Sequence, residues 1–232
     1  MTVQSRKAGG TESGLQESGR FFLFATGSIL PHDGVSEPIG EFWRCFLDHR
    51  EEFASARSIE DPVCDVILDA LKRVNPKLWF EFCTNPGVNE FIVSAEGKRT
   101  LFPLVEEIVA RAPEMKEWKI FALKPRLGFP LSTNWEGREV QLAEVIVRPV
   151  FHQETRELAL QLFVDGVTDA NKGRIHNALL RALDHGLGER RFAEEVIATW
   201  VYPLSKLPEE GLSFPLVELE AYLDDLENER SS

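Results

Sequence analysis

With 232 residues, 43% apolar and 28% charged, the chain has the make-up of globular protein and enough apolar side chain for a real core; length alone allows one domain or two. A net charge of −12 argues against a nucleic-acid backbone as partner, because such binders carry a basic face. No apolar run reaches the ~18 residues of a membrane span. Three cysteines without a Cys-x-x-Cys pair fit reduced thiols in a cytoplasmic protein better than a disulfide frame or a zinc knuckle.

Residues 1–35 open with a Gly-, Ser- and Gln-rich stretch without periodicity and are expected to form a disordered or loosely packed extension. Within it, Phe21 to Ile29 reads as an edge strand or a packing loop, and Phe21 to Leu30 lacks the cleavage site of a signal peptide. A helix is announced at Ser36 with Pro38 just inside it. Ile39, Phe42, Trp43, Phe46 and Leu47 recur at helical spacing and form the strongest amphipathic stripe in the chain. Ser58-Ile59-Glu60-Asp61-Pro62 resembles a capping box opening a second helix, whose stripe is Val63, Val66, Ile67, Ala70, Leu71 and Val74 and which Asn75-Pro76 stops.

From Leu78 to Arg126 the pattern reads strand (Leu78 to Cys83), strand (Glu90 to Ala95), helix (Thr100 to Ala112) and strand (Trp118 to Lys124). Phe80 and Phe82 alternate with Glu81, then Phe91 and Val93 with Ile92 and Ser94, at the period of two of half-buried strands. Thr100 is the expected N-cap of the helix, and Leu101, Leu104, Val105, Ile108 and Val109 its stripe. Trp118 to Lys124 is apolar enough to be buried on both faces.

Past a loop with Gly128, Pro130 and Asn134, the order recurs. Strands from Val145 to Phe151 and Leu158 to Val164 lead into a helix with stripe Ile175, Ala178, Leu179, Ala182, Leu183 and Leu187, then a strand from Val196 to Tyr202. Gly186 and Gly188 offer C-cap chemistry. Phe91 to Gly97 aligns with Leu160 to Gly166 at an offset of 69, both ending in acid-Gly. The reading is a duplicated β-β-α-β core with antiparallel sheet, pseudo-repeats 78–126 and 143–204 lying within a core at 36–205. From Lys206 to Ser232, eight acids face two bases. Ser213 and Pro215 open an acidic C-terminal helix whose single-file Leu216, Leu219, Leu223 and Leu226 suit docking on a neighbouring surface. The fold class is α+β, with two N-terminal helices.

Phe42-Trp43-x-x-Phe46, Glu90-Phe91-Ile92-Val93-Ser94-Ala95-Glu96-Gly97, Phe102-Pro103-x-Val105, Ala112-Pro113 with Trp118-Lys119-x-x-Ala122, and Leu183-Asp184-x-x-Leu187-Gly188-Glu189 together resemble a family of uncharacterised bacterial proteins. The likeness runs from about Ile39 to Pro203 and implies no activity, ligand or catalytic residue.

Candidate chemistry is sparse. Lys98, Arg99 and Thr100 sit between a glycine turn and a helix start, where free N–H groups and added positive charge would hold a small anion; the alternative is a solvated turn. Glu81 and Glu90, on neighbouring strands, are a potential carboxylate pair for acid-base work or metal, or else the solvent side of a hairpin. Lys119, Lys124, Arg126, Arg138 and Arg148 would line a basic cleft or act as edge-strand charges. His32, His49, His152, His176 and His185 show no metal-ligand spacing, Ser94 and Ser205 no nucleophile motif, and no cofactor is implied. The expected function is a non-enzymatic cytoplasmic binding or regulatory protein. Its alternatives are an enzyme for a small anionic substrate near Lys98 and Arg99, and an inhibitor or immunity-type protein docking a basic partner through its acidic C-terminus. Neither nucleic acid nor membrane is expected as partner, and the sequence leaves oligomeric state open.

Overall fold

A computed structural model describes residues 4–5, 36–84, 87–130, 132–135, 138–152, 155 and 157–231. The expected extension at 1–35 lies outside them except for Gln4–Ser5, as do the strand or loop at Phe21 to Ile29 and His32. The chain divides into two compact units, and in the described chain the division falls between Pro125 and Arg126. The fold class is α+β, with helices at both ends of the described chain.

In the first unit, β1 (Gln4–Ser5) precedes α1 (Ser36–Ala54) and α2 (Pro62–Val74). Then follow β2 (Trp79–Cys83), β3 (Asn89–Ser94), α3 (Phe102–Ala110) and β4 (Trp118–Ala122). The α1 stripe folds as its spacing dictates: Ile39, Phe42, Trp43 and Phe46 are buried with Phe53, while Leu47 is half-buried. The ring of Phe91 is the hub, lying 5.0 Å from Phe46, 5.2 Å from Phe80 and 5.8 Å from Phe53 between centroids. Trp43 Nε1 donates to the Ile108 carbonyl at 2.8 Å, which ties α1 to α3 and satisfies a polar atom that burial would otherwise penalise. On α2 the buried stripe is shifted from its expected position: Cys64 and Leu68 are inside and Val66 is 39% exposed. The Asp61 carboxylate accepts from the N–H groups of Arg57 and Ser58 ahead of α2, which holds its carboxyl below the usual pKa. Thr100 is not a cap; it lies in a short 3-10 turn before α3, whose N-cap residue is Leu101.

In the second unit come β5 (Ser132–Trp135), β6 (Arg138–Gln141), β7 (Ile146–Phe151), β8 (Leu158–Val164), α4 (Lys172–Leu187), α5 (Glu189–Glu195), β9 (Val196–Pro203), β10 (Phe214–Pro215) and α6 (Leu219–Ser231). All six predicted α4 stripe residues are buried, and all but Ala178 belong to one core cluster with β7, β8 and β9 side chains. The stretch expected to be loop around Asn134 pairs instead as the β5–β6 hairpin.

The two sheets repeat one plan. Strand order is β1-β2-β3-β4 in one and β10-β7-β8-β9 in the other. In both, the first two neighbours pair antiparallel and the last pair is parallel. The antiparallel expectation therefore holds for β2–β3 and β7–β8 and fails for β3–β4 and β8–β9. The reason is the connection: a helix crossing over the sheet carries the chain back to the end it started from, so the next strand runs parallel. β3, central in the sheet, is buried from Phe91 through Ser94. β4 is half-buried because it lies at the edge of the strand order, not buried on both faces.

The C-terminal leucines serve the second unit's own core. Leu216, Leu219 and Leu223 are buried in it, Leu226 packs against it, and the helix begins at Leu219. Phe214–Pro215, expected inside that helix, is instead an edge strand on β7, a place where a residue lacking an N–H is tolerated. Gly186 sits within α4 under Phe129, where an added Cβ would meet ring carbons at 2.4 and 2.5 Å. Gly188, with φ of 79°, separates α4 from α5. Gly186→Ala is therefore expected to lower thermal stability, because an overpacking cost of about 1–3 kcal/mol outweighs the up to ~1 kcal/mol that alanine adds to a helix. Gly186→Ala with Phe129→Leu should recover most of the loss in calorimetry; an unchanged loss would place the strain elsewhere.

Candidate functional site

In the first unit the fold brings together Glu81, Ser94, Glu96 and Lys124. Lys124 Nζ lies 3.5 Å from Glu81 Oε1 and 3.1 Å from Glu96 Oε1, with the Glu81 side chain 1% and that of Lys124 6% exposed. Ser94 Oγ, fully buried, accepts from the Glu96 N–H at 3.0 Å and stands 3.5 Å from Glu96 Oε1. Two carboxylates thus share one ammonium.

Backbone conformation builds this cluster. Strand parity pairs Ala122 with Val93 on the aromatic face, so Lys124, two residues on, would follow Ala122 to that face. Leu123 instead has φ of 64°, with its N–H still bonded to the Val93 carbonyl at 2.8 Å. That left-handed residue breaks the alternation and turns Lys124 toward Glu81, which points away from Phe80 and Phe82. Glu96 has φ of 51° and Gly97 of 72°, and Lys98 N–H closes the turn onto the Ala95 carbonyl at 3.1 Å. A left-handed leucine and glutamate each cost of order 1–3 kcal/mol, so the surrounding contacts must hold them.

Glu81 and Glu90 share a sheet face as diagonal neighbours, since Glu81 pairs with Ile92 and Glu90 with Cys83. Neither the hairpin's solvent side nor a carboxylate pair describes Glu81, which is buried on Lys124. Lys98 and Arg99 are half-buried and Thr100 exposed beside this cluster, in the turn ahead of α3. Lys124 and Arg126, expected together, divide between the units. Lys119 belongs with the first and Arg148 with the second; the side chain of Arg138 is outside the described set.

Arg126 instead pairs with Glu220 and, at 3.5 Å, with Asp224, both on α6. Arg191 on α5 bonds Glu195 at 2.8 Å and Asp224 at 2.5 Å, with Glu227 at 3.9 Å. Burial works against the Arg191 charge, and the bonds to Asp224 and Glu195 more than offset it, so its pKa is raised. The Arg191 hydrogen bond holds Asp224 below its ordinary 3.8. The sign follows: this contribution is complete above the ordinary value and is lost as pH falls through the lowered folded value. The stability gap between wild type and Asp224→Asn should close as pH drops from about 5 to below about 3, measured by thermal melts; a constant gap would mean the carboxylate's charge is not what α6 uses.

Cys45 and His49, four apart on α1, place Sγ 3.9 Å from Nδ1, but that nitrogen also lies 2.9 Å from the Cys45 carbonyl. Burial pushes the Cys45 thiol up, opposed by Arg73, so the pair does not favour a thiolate. Their i, i+4 spacing would have flagged the contact in the sequence. His176 Nε2 lies 2.6 Å from Thr199 Oγ1, joining α4 to β9. Among the described residues no group of three His, Cys, Asp or Glu side chains is arranged for a metal ion, and no helix is long and apolar enough to cross a membrane.

No family model, curated protein or solved structure matches the chain.

Proposed function

We propose that the protein is a non-enzymatic cytoplasmic binding or regulatory protein that docks a basic partner on the outward face of α6. The observation that carries this reading is the division of labour among the C-terminal carboxylates. Glu220 and Asp224 are bound to Arg126 and Arg191, while Leu216, Leu219 and Leu223 anchor the segment in the core. Glu218, Asp225, Glu227 and Glu229 are exposed on that anchored segment, Glu227 while also in contact with Arg191. A rigidly held acidic surface steers a basic protein and loses little entropy on binding. Cys45, Cys64 and Cys83 form no disulfide, which fits a reducing compartment. The likeness to a bacterial family adds no activity to the proposal.

The test uses immobilised protein and a poly-L-lysine of about 20 residues, long enough to cross several Debye lengths at 0.1 M salt. Retention is expected at low salt and release at high salt. Neutralising Glu218, Asp225, Glu227 and Glu229 to Gln or Asn should abolish retention. Neutralising the exposed Glu41, Asp48, Glu51 and Glu52 of α1 should not, although both variants move the net charge from −12 to −8. Equal loss in both would reduce the effect to bulk charge and overturn the reading.

One observation favours the competing enzyme reading: left-handed Glu96 and Leu123 flank a buried ion cluster at the C-terminal ends of parallel β3 and β4, where ligands of mixed sheets collect. Lys98 and Arg99 would then receive a small anion. Saturable protection of β3–β4 amides by inorganic phosphate would support that second reading over the first.

A further inference from the structure

We infer that the outer edge of β9 is a self-association surface, on which a second copy of the chain adds its own β9 antiparallel about a two-fold axis. β9 ends the strand order β10-β7-β8-β9. Among the described residues β8 is its only strand partner, and from Ile197 to Tyr202 no outward N–H or C=O group bonds to backbone elsewhere. Such a row of open groups is a template for another strand. The other sheet edges are blunted: β1 and β10 have two residues each, β10 with Pro215, and β4 carries the exposed Lys119. β9 has eight residues, the longest strand described, and none is charged.

A second copy is the occupant this edge fits. With the axis on Trp200, each strand meets an equal, uncharged length of its mate, so no charged side chain is desolvated between them. The net charge of −12 is screened beyond about 8 Å at 0.15 M salt, which leaves the charges at the contact to decide. Those are complementary. Glu194 precedes Trp200 by six residues and Lys206 follows it by six, so antiparallel pairing brings the end bearing one to the end bearing the other, twice. Both are exposed. No ion pair holds Lys206 among the described residues, and Glu194 meets Arg190 of its own helix at 3.2 Å, a surface pair of little strength. Thr199 turns to His176 of α4 and Val201 to the core, so strand parity points Trp200 to the opposite face, beside its symmetry mate. Half-buried in one chain, that ring loses further water in the pair. With one unblunted edge per chain, the assembly closes at two copies.

The experiment is sedimentation equilibrium of the full chain at about 0.15 M salt, with amide exchange followed in dilute and concentrated samples. The expected result is a reversible monomer–dimer equilibrium with Kd on the order of 10 µM, and protection that grows with concentration in β9. Lys206→Glu, a change at an exposed position, should weaken the dimer roughly fivefold or more by setting like charges together at both ends. Adding Glu194→Lys to it should restore the dimer. The variant neutralised at Glu218, Asp225, Glu227 and Glu229 should pair as well as wild type; loss of its dimer would move the contact to α6 and overturn the edge pairing. A monomer throughout, open-ended oligomers, an unaffected Lys206→Glu, or a charge swap that restores nothing overturns it too.

Discussion

Phe91→Ala is expected to destabilise the first unit by about 3–5 kcal/mol, the range for removing a fully buried aromatic ring. Phe91 is 0% exposed, and its ring meets those of Phe42, Trp43, Phe46, Phe53 and Phe80 at centroid distances between 5.0 and 6.5 Å. Those neighbours come from α1 and β2, around a ring carried by β3, so the cavity opens where the helix layer meets the sheet. The aromatic partners cannot close it without leaving their edge-to-face geometries, which adds to the transfer term. Val66→Ala, on the exposed flank of α2, should change stability by less than ~0.5 kcal/mol. Calorimetry of both variants, with amide exchange of β2 to β4 to assign the loss, checks the pair; similar effects would mean the ring cluster does not hold this unit.

That hub was legible because burial of local stripes follows from spacing alone. Ile39, Phe42, Trp43 and Phe46 on α1 and the whole Ile175-to-Leu187 stripe on α4 are where the 3.6-residue period puts them. The period says which side of an element is apolar. It does not say which element lies opposite or in which direction the next strand runs, so the parallel β3–β4 and β8–β9 pairs leave no mark in the pattern. The alignment of Phe91 to Gly97 with Leu160 to Gly166 leads to the expectation of a repeated unit, and the same strand order is found in both sheets. The placement of Pro215 shows the opposite limit: proline in a helix's first turn and proline in an edge strand leave the same mark in a sequence.

The candidate site was legible only in pieces. Glu81 and Lys124 were both noted, but each was assigned to solvent or to the wrong partner. Strand parity sends them to opposite faces, and only the positive φ of Leu123 reverses this; leucine has no propensity that announces such a conformation. Lys124 and Arg126 group in the sequence as cations around the third strand of the first unit, yet the boundary between the units falls after Pro125 and gives Arg126 to α6.

Lys124→Ala is expected to cost the first unit about 3–5 kcal/mol, because it leaves the Glu81 carboxylate buried without its ammonium. The Lys124 and Glu81 side chains are 6% and 1% exposed, whereas Glu96, the ammonium's second carboxylate, is 31% exposed and can hydrate. Glu96→Gln should therefore cost under ~1 kcal/mol. Glu81→Leu with Lys124→Met removes both buried charges at similar volume and should restore most of the stability, as buried ion pairs replaced by packed apolar groups commonly do. Denaturation of the three variants separates two roles for the cluster. If the double variant is stable and still retains poly-L-lysine through α6, the pair fixes the turn of Leu123 and takes no part in binding the basic partner. If it is stable but no longer retains the probe, recognition depends on the charged cluster, and docking on α6 alone is wrong.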